Sequence, residues 1–336
     1  MKPTTKRRWE KFRKTRRSYF SLWCLTLLLL VSFGAELWIN PKPLVLRFEG
    51  ATYFPAFKYY PGQIFGEEVS AEVDYRVLVR GTRYQKPGNW ALFAPIHWGP
   101  LESQSLATPP PHPPSHENIL GTDDRGRDLL ARLVYGFRNS FLFASVSWIL
   151  TAILSYLIGG IQGYLGGRVD LFAQRTVEIW SSLPVLYVLL FMMAIFPSNL
   201  WLLLAVWAAF SWVGLAGYVR VEVLRIRKLE YVSAARAAGA SHGRVLMKHV
   251  LPNALTPLIT FTPFLISASI VSLAALDYLG LGLPPPTPSW GELLHQGKEN
   301  LRSWWVGFFP FLALFGTTLL LNFIGEGLRR AMDSRS

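Results

Sequence analysis

Six stretches of this chain, at about residues 19–38, 140–163, 179–196, 199–219, 254–276 and 304–325, are long, apolar and poor in charge. Each comes near the ~20 residues that an α-helix needs to cross a bilayer, and polar segments separate them. A hydrophobic content of 51% over 336 residues would also suit one large globule, so it is the clustering that decides. The expected fold class is all-α: a polytopic membrane protein with six transmembrane helices. The 179–196 run is the shortest and holds Pro184, which is expected to kink its helix by removing a backbone donor and crowding the preceding turn.

The formal net charge of +13 could suggest nucleic acid, but its distribution reads as membrane topology. Of the 34 Lys and Arg, nine lie in 1–17, two in 164–175, seven in 220–252 and three in 326–336. By the positive-inside rule these segments and both termini belong on the cytoplasmic side, so a lipid bilayer is the expected partner and nucleic acid is not. Residues 6–17 form a cationic stem suited to anionic headgroups. The expected division is a basic tail at 1–17, a first span at 18–38, an outer segment at 39–139, a five-helix core at 140–325 and a tail at 326–336. The first run carries Glu36 and no small-residue cleavage site, so it is read as an uncleaved span. Cys24 is the only cysteine, which rules out an intramolecular disulfide.

The segment Arg220–Pro252 interrupts the apolar pattern with seven basic and two acidic residues. Burying nine charges in lipid would cost on the order of 20–30 kcal/mol, so this segment belongs in water. Glu230 to Ala238 has four Ala and neither Gly nor Pro, which predicts a helix. Gly239 suits a left-handed C′ position after it. Ser241 can cap a second short helix through Leu251, with Pro252 ending it, and Val245, Leu246 and His249 then share a face beside Arg244 and Lys248.

Ser233-Ala234-Ala235, with Arg236, Gly239 four residues on and Leu251-Pro252 a dozen further, resembles the EAA loop of ABC importer permeases. The resemblance implies that Ala240, Ser241, His242, Arg244, Val245 and Leu246 belong to a coupling helix that sits in a groove of the ATPase subunit. Ser233 stands where the family usually has Glu. Further upstream, Gly121-Thr122-Asp123-Asp124-Arg125-Gly126-Arg127-Asp128 leads into Leu133-Val134-Tyr135-Gly136. This resembles the LGTDxxGRDxxSRLxYG signature of the dipeptide and oligopeptide branch. Asp277 to Gly291 is similar to the LSFLGLGxxPPxPSWG segment with Asp for Ser, and Asn322 to Arg330 to NxxGDGLRD with Glu326 for Asp. Residues 8–60 look more specifically like the permeases of microcin C and oligopeptide importers of Gram-negative bacteria.

What this resemblance implies is a type I ABC importer permease of the bacterial inner membrane with a large periplasmic loop after the first helix. Its implied partners are a second, homologous permease forming a heterodimer, two ATP-binding subunits or one fused double ATPase, and a periplasmic substrate-binding protein. The implied cargo is peptides or peptide-like compounds, microcin C among them.

The residues themselves set limits that agree. There is no GxxxxGK[ST] run, so ATP would be hydrolysed by another subunit, and no cofactor or catalytic residue is expected in this chain. His97, His112, His116, His242, His249 and His295 lack zinc-site spacing. Asp123, Asp124 and Asp128 lack the EF-hand spacing and its terminal Glu. Ionisable residues are nearly absent at mid-span, which disfavours an ion-coupled carrier. A membrane-anchored receptor built around 39–139 stays open. In that segment Thr52–Phe54, Tyr59–Tyr60 and Val73–Val79 could form strands, and Pro109–Pro114 reads as a stiff spacer.

Overall fold

The structure is a computed structural model that describes residues 3–66, 71–81, 84–104, 108–197 and 199–333. Among the described residues, four helices are long and apolar enough to cross a membrane: α4 (Leu129–Leu165), α7 (Leu200–Ile226), α10 (Thr256–Tyr278) and α12 (Trp304–Met332). Taken together, α5 (Gly167–Ser181) and α6 (Val185–Ile195) are also long and apolar enough to cross, and they meet at a bend of 63°. The break falls at Pro184, which stands as the N-cap of α6 with extended backbone. The expected span at 179–196 is therefore a broken one, and the polar segment 164–175, assigned above to the cytoplasmic side, is largely the start of α5.

The first apolar run forms α2 (Arg16–Phe33), preceded by α1 (Pro3–Lys14). At 18 residues α2 is about 27 Å long, near the ~30 Å of a bilayer core, but its first two residues are arginines. It ends five residues before the expected Trp38. A short turn at Ala35–Leu37 comes next, and the Trp38 indole donates back to the Val31 carbonyl (2.9 Å), occupying an acceptor at the helix end. At the other terminus α12 runs to Met332, so most of the expected 326–336 tail is helix, and 334–336 lie outside the described residues.

The chain divides into two compact units. The first holds residues 1–26, 140–284 and 314–336. Its core is built where α4 and α7 come close through small residues. An added Cβ at Gly159 would lie 2.4 Å from the Ala216 carbonyl oxygen, and one at Gly160 would meet Leu251 at 2.6 Å. The glycines that end α4 thus let two helices approach as backbone against backbone. A second cluster joins Phe143, Leu189, Leu203, Leu204, Leu273 and Leu276.

The other unit holds residues 27–139 and 285–313. It carries the addition to an otherwise helical fold, a three-stranded antiparallel sheet of order β2-β1-β3, with β1 at Pro43–Phe48, β2 at Ala51–Tyr53 and β3 at Trp90–Phe93. The β1–β2 turn is two residues, Glu49 and Gly50, both at positive φ (47° and 86°), a twist that matches the flanking strands. Leu46, Phe48, Phe65, Tyr75 and Tyr84 form the core beneath the sheet. The strand expected at Val73–Val79 is instead α3 (Tyr75–Arg80), because the Asp74 carboxylate accepts from the Arg76 amide (2.9 Å) and caps a helix there. Tyr59–Tyr60 is likewise not a strand. The Pro-rich segment is held in place rather than free. The amides of His112 and Thr122 donate across to the Thr122 hydroxyl and the His112 carbonyl, at 2.8 and 2.9 Å.

Candidate functional site

The polar interruption folds into a two-armed bracket. Its first residues, Arg220–Ile226, extend α7, so the chain leaves that helix only after Ile226. The helix can carry Arg220 because Asp170 on α5 meets it in a bidentate pair, with both N–O distances 2.6 Å. Asp170→Asn is expected to cost about 1.5–3 kcal/mol, the worth of a hydrogen bond to a charged group. The melting temperature of the full chain in detergent would register the loss, and the double change Asp170→Asn with Arg220→Met should recover most of it.

The first arm is α8 (Glu230–Ala237). Ala238 ends it, and Gly239 comes next at φ 79°. The Gly239 amide donates to the Arg236 carbonyl (2.9 Å) and the Ala240 amide to the Ala235 carbonyl (3.1 Å). These two bonds define a Schellman turn, which needs the left-handed residue that only Gly adopts freely. The second arm begins with α9 (His242–Val245) and continues through a π-turn at Leu246–Val250 into a 3-10 turn at Leu251–Asn253. Ser241 occupies the N-cap position with extended backbone, but its hydroxyl makes no cap bond. The π-turn also shifts the buried face. Val245 and Val250 are both fully buried, five residues apart, while Leu246 and His249 are half-buried. The carbonyl of His249 is satisfied by the side chains of Asn253 (2.8 Å) and Tyr231 (3.3 Å), which ties the two arms together.

Val232, Val245, Val250 and Leu251 form a buried keel against Tyr164, Leu215, Val219, Val223 and Ile226. Tyr164 organises the polar side of this contact. Its hydroxyl lies 3.1 Å from His242 Nδ1, its carbonyl accepts from Arg227 (2.9 Å), and the Arg236 guanidinium lies 5.2 Å from its ring centre. Facing outward are Ser233, Ala234, Arg236, Gly239, Ser241, His242, Arg244, Lys248 and Pro252, with Met247 63% exposed. Ala235 and Ala240 are half-buried at the hinge. Sequence reasoning found the bracket and its turn but not Tyr164, Arg227, Asp170, Tyr231 or Asn253, whose partners are long-range. Gly239 to Gly243 also spells G-x-S-x-G, but a hydrolase elbow joins strand to helix, and here a helix lies on each side.

In the other unit the second predicted motif forms a buried ionic cluster. Asp123, Arg127, Asp128 and Arg132 are all at most 2% exposed. Asp123 accepts from the amides of Arg125 and Arg127 (2.9 Å each) and from Arg127 Nε (2.7 Å). Arg132 Nε lies 3.3 Å from the same carboxylate. Glu292 closes the ring, accepting from Arg127 (3.1 Å) and from Arg132, which also donates to the Pro100 carbonyl (3.0 Å). Asp128 caps α4 by accepting from the Ala131 amide (2.7 Å) and also accepts from Asn118 (2.9 Å). Burial outweighs these bonds and pushes Asp128 above the usual carboxylate range. Gly121 and Gly126 sit at φ 82° and 74°, and a Cβ at Gly121 would strike the His112 carbonyl at 2.6 Å. Trp290 seals the cluster by donating to the Leu133 carbonyl (2.9 Å) and stacking on Phe137 at 5.8 Å. The acidic turn is thus neutralised by arginines, and among the described residues no group of side chains is arranged to hold a metal. Arg132 stands at the second arginine of the signature, with Ala131 where the signature has Ser, whereas Glu292 is the member that the motif did not mark.

Comparison with known proteins places these features. Residues 155–336 match the family described as "binding-protein-dependent transport system inner membrane component". The chain is 43% identical over 335 residues to the inner membrane ABC transporter permease protein YejE of Escherichia coli K12, covering 99% of this chain and 98% of that one. It is 39% identical to the peptidoglycan transport system permease protein YejE of Agrobacterium fabrum, over 99% and 93% of the two chains. A dipeptide transport system permease protein, DppC of Bacillus subtilis, is 34% identical over 66% of this chain and 70% of its own. Among solved structures, an inward-facing form of the MetNI methionine ABC transporter superposes with a TM-score of 0.51 over 61% of this chain and 98% of that chain. At 18% identity, this likeness bears on the fold alone.

Proposed function

This chain belongs to the binding-protein-dependent transport system inner membrane component family, and from that premise we propose that it forms half of the translocation pathway of an ATP-driven importer of peptides or peptide-like compounds. The peptide and peptidoglycan permeases among its relatives support that cargo, and a microcin C-like compound fits the same class. The observation that carries the mechanism is the bracket: an outward face of small and cationic side chains on a fully buried keel, turned by one glycine.

In this reading the bracket sits on the cytoplasmic side, as do both termini, and docks in a groove of a separate ATPase. Two such ATPase subunits or one fused double ATPase, a homologous second permease and a periplasmic binding protein complete the assembly. Closing of the ATPases pulls the 240–251 arm. Swinging a two-state conduit from mostly inward-open to mostly outward-open requires about 5.5 kcal/mol. The keel transmits that work because its contacts are packed rather than solvated. Where the family's usual acid is replaced by Ser233, Glu230 lies exposed one turn earlier on the same helix and supplies the charge. The ionic cluster serves as a rigid outer fitting on which the binding protein seats.

Reconstitution tests this directly. The full chain, with the subunits that co-purify, should take up labelled oligopeptides into proteoliposomes only with MgATP, and a proton ionophore should leave uptake unchanged. Transport by the chain alone under a proton gradient would point instead to an ion-coupled carrier.

A further inference from the structure

Nine exposed cations gather where three helix ends of one unit come together: Lys6, Arg7, Arg8, Arg13 and Lys14 on α1, Arg16 and Arg17 on α2, and Arg329 and Arg330 on α12. Among the described residues none of the nine forms an ion pair, and the exposed acids Glu10, Glu326 and Asp333 leave the surface strongly positive. Repulsion among so many like charges would favour a frayed, solvated tail. Instead α1 is seated. Phe12 is 3% exposed, and at Gly327 an added Cβ would come within 2.8 Å of its ring and 2.5 Å of Ser18.

The aromatic side chains beside these cations point to what offsets the repulsion. Trp9 stacks on Phe12 at 5.7 Å and meets the edge of Tyr19 at 6.4 Å, and Tyr19 meets Trp23 at 6.2 Å. The Arg13 guanidinium lies 5.9 Å from the Tyr19 ring centre. Trp9, Phe20 and Trp23 are 44%, 68% and 56% exposed. Indole and phenol rings half in water, rimmed by cations and continued at once by an apolar helix, match the chemistry of a headgroup layer: anionic phosphates above, acyl chains below.

We propose that this surface binds the headgroups of acidic phospholipids, with guanidinium forks on the phosphodiester oxygens and the aromatic ladder at glycerol depth. The assignment does not depend on what the chain transports. A solvated helix face has no use for three exposed aromatics, and a nucleic acid would have to approach rings that lie at the start of an apolar helix.

Native mass spectrometry of the full chain in detergent, titrated with dioleoylphosphatidylglycerol or dioleoylphosphatidylcholine, tests the proposal. The acidic lipid should be retained at least about fivefold better, the discrimination one headgroup–cation contact supplies. The variant R7Q/R8Q/R16Q/R17Q should lose this preference with an unchanged melting temperature, and the same four positions changed to Lys should keep most of it. Neutralising Arg47, Lys58, Arg80 and Lys86, which lie in the sheet unit, should leave the preference intact. Equal retention of both lipids, loss in the sheet variant, displacement of the lipid by equimolar inorganic phosphate, or tighter binding of a single-stranded oligonucleotide would each overturn it.

Discussion

Arg132→Met is expected to destabilise the sheet-bearing unit by about 3 kcal/mol, the lower end of what breaking a buried ion pair costs. Arg132 is completely buried and balances Asp123 and Glu292 together with Arg127, two buried cations against two carboxylates, with the half-exposed Arg125 more loosely placed 3.8 Å from Glu292. Removing it leaves a desolvated excess negative charge, and the Pro100 carbonyl loses its donor as well. The cost falls short of the upper end because Arg127 still reaches both carboxylates and the Glu292 side chain is 20% exposed. At roughly 2–4 °C per kcal/mol for a domain of this size, the detergent-solubilised chain should melt about 6–12 °C lower. The double variant Arg132→Met with Glu292→Met restores neutrality and should melt closer to the native chain than the single variant does. A single variant that melts within about 2 °C of native, less than one kcal/mol is worth, would show that the cluster holds nothing together.

That cluster also marks the limit of what could be read from the chain. The Gly121-to-Asp128 turn was legible because its signal is local: two glycines where the backbone needs positive φ, and an Asp one residue before a helix. Arg132 was legible as a motif residue, but its pairing with Glu292 was not, since the two meet across 160 positions and no periodicity links them. The same division holds elsewhere. Hydropathy located the apolar helices and Pro184 located the break, but neither predicted that α7 would continue to Ile226. That continuation rests on Asp170 neutralising Arg220 from another helix. Val73–Val79 alternates like a strand, and a single capping bond from Asp74 was enough to make it a helix. In the bracket, 3.6-residue spacing gave Val245, Leu246 and His249 one face. The π-turn moved that face to Val245 and Val250, because Pro252 has no amide to continue the regular ladder. Local chemistry was readable wherever one residue type is nearly obligatory, and unreadable wherever a distant partner decides.

Gly239→Val is expected to lower ATP-driven uptake by about tenfold while leaving the amount of protein in the membrane unchanged. The residue holds φ at 79°, and an added Cβ there meets nothing within 4 Å, so the substitution creates no clash. The whole penalty is conformational. A β-branched residue in left-handed backbone costs roughly 1–2 kcal/mol, enough to shift the Schellman turn toward other geometries by about an order of magnitude. The keel residues Val232 and Val245 lie in separate arms, so each arm stays anchored while the angle between them is lost. A bracket so loosened still inserts, but in the proposed coupling role it no longer presents both arms to an ATPase in one orientation. Asn tolerates left-handed backbone far better than Val, so Gly239→Asn should retain most of the uptake. This ordering separates a geometric role for the turn from a requirement for a small side chain, which would have Asn and Val fail alike. Deleting 241–249 removes the second arm outright and should abolish uptake, with ATP hydrolysis by the assembled complex becoming insensitive to cargo. Native uptake rates in either the valine variant or the deletion would remove the bracket from the transport cycle.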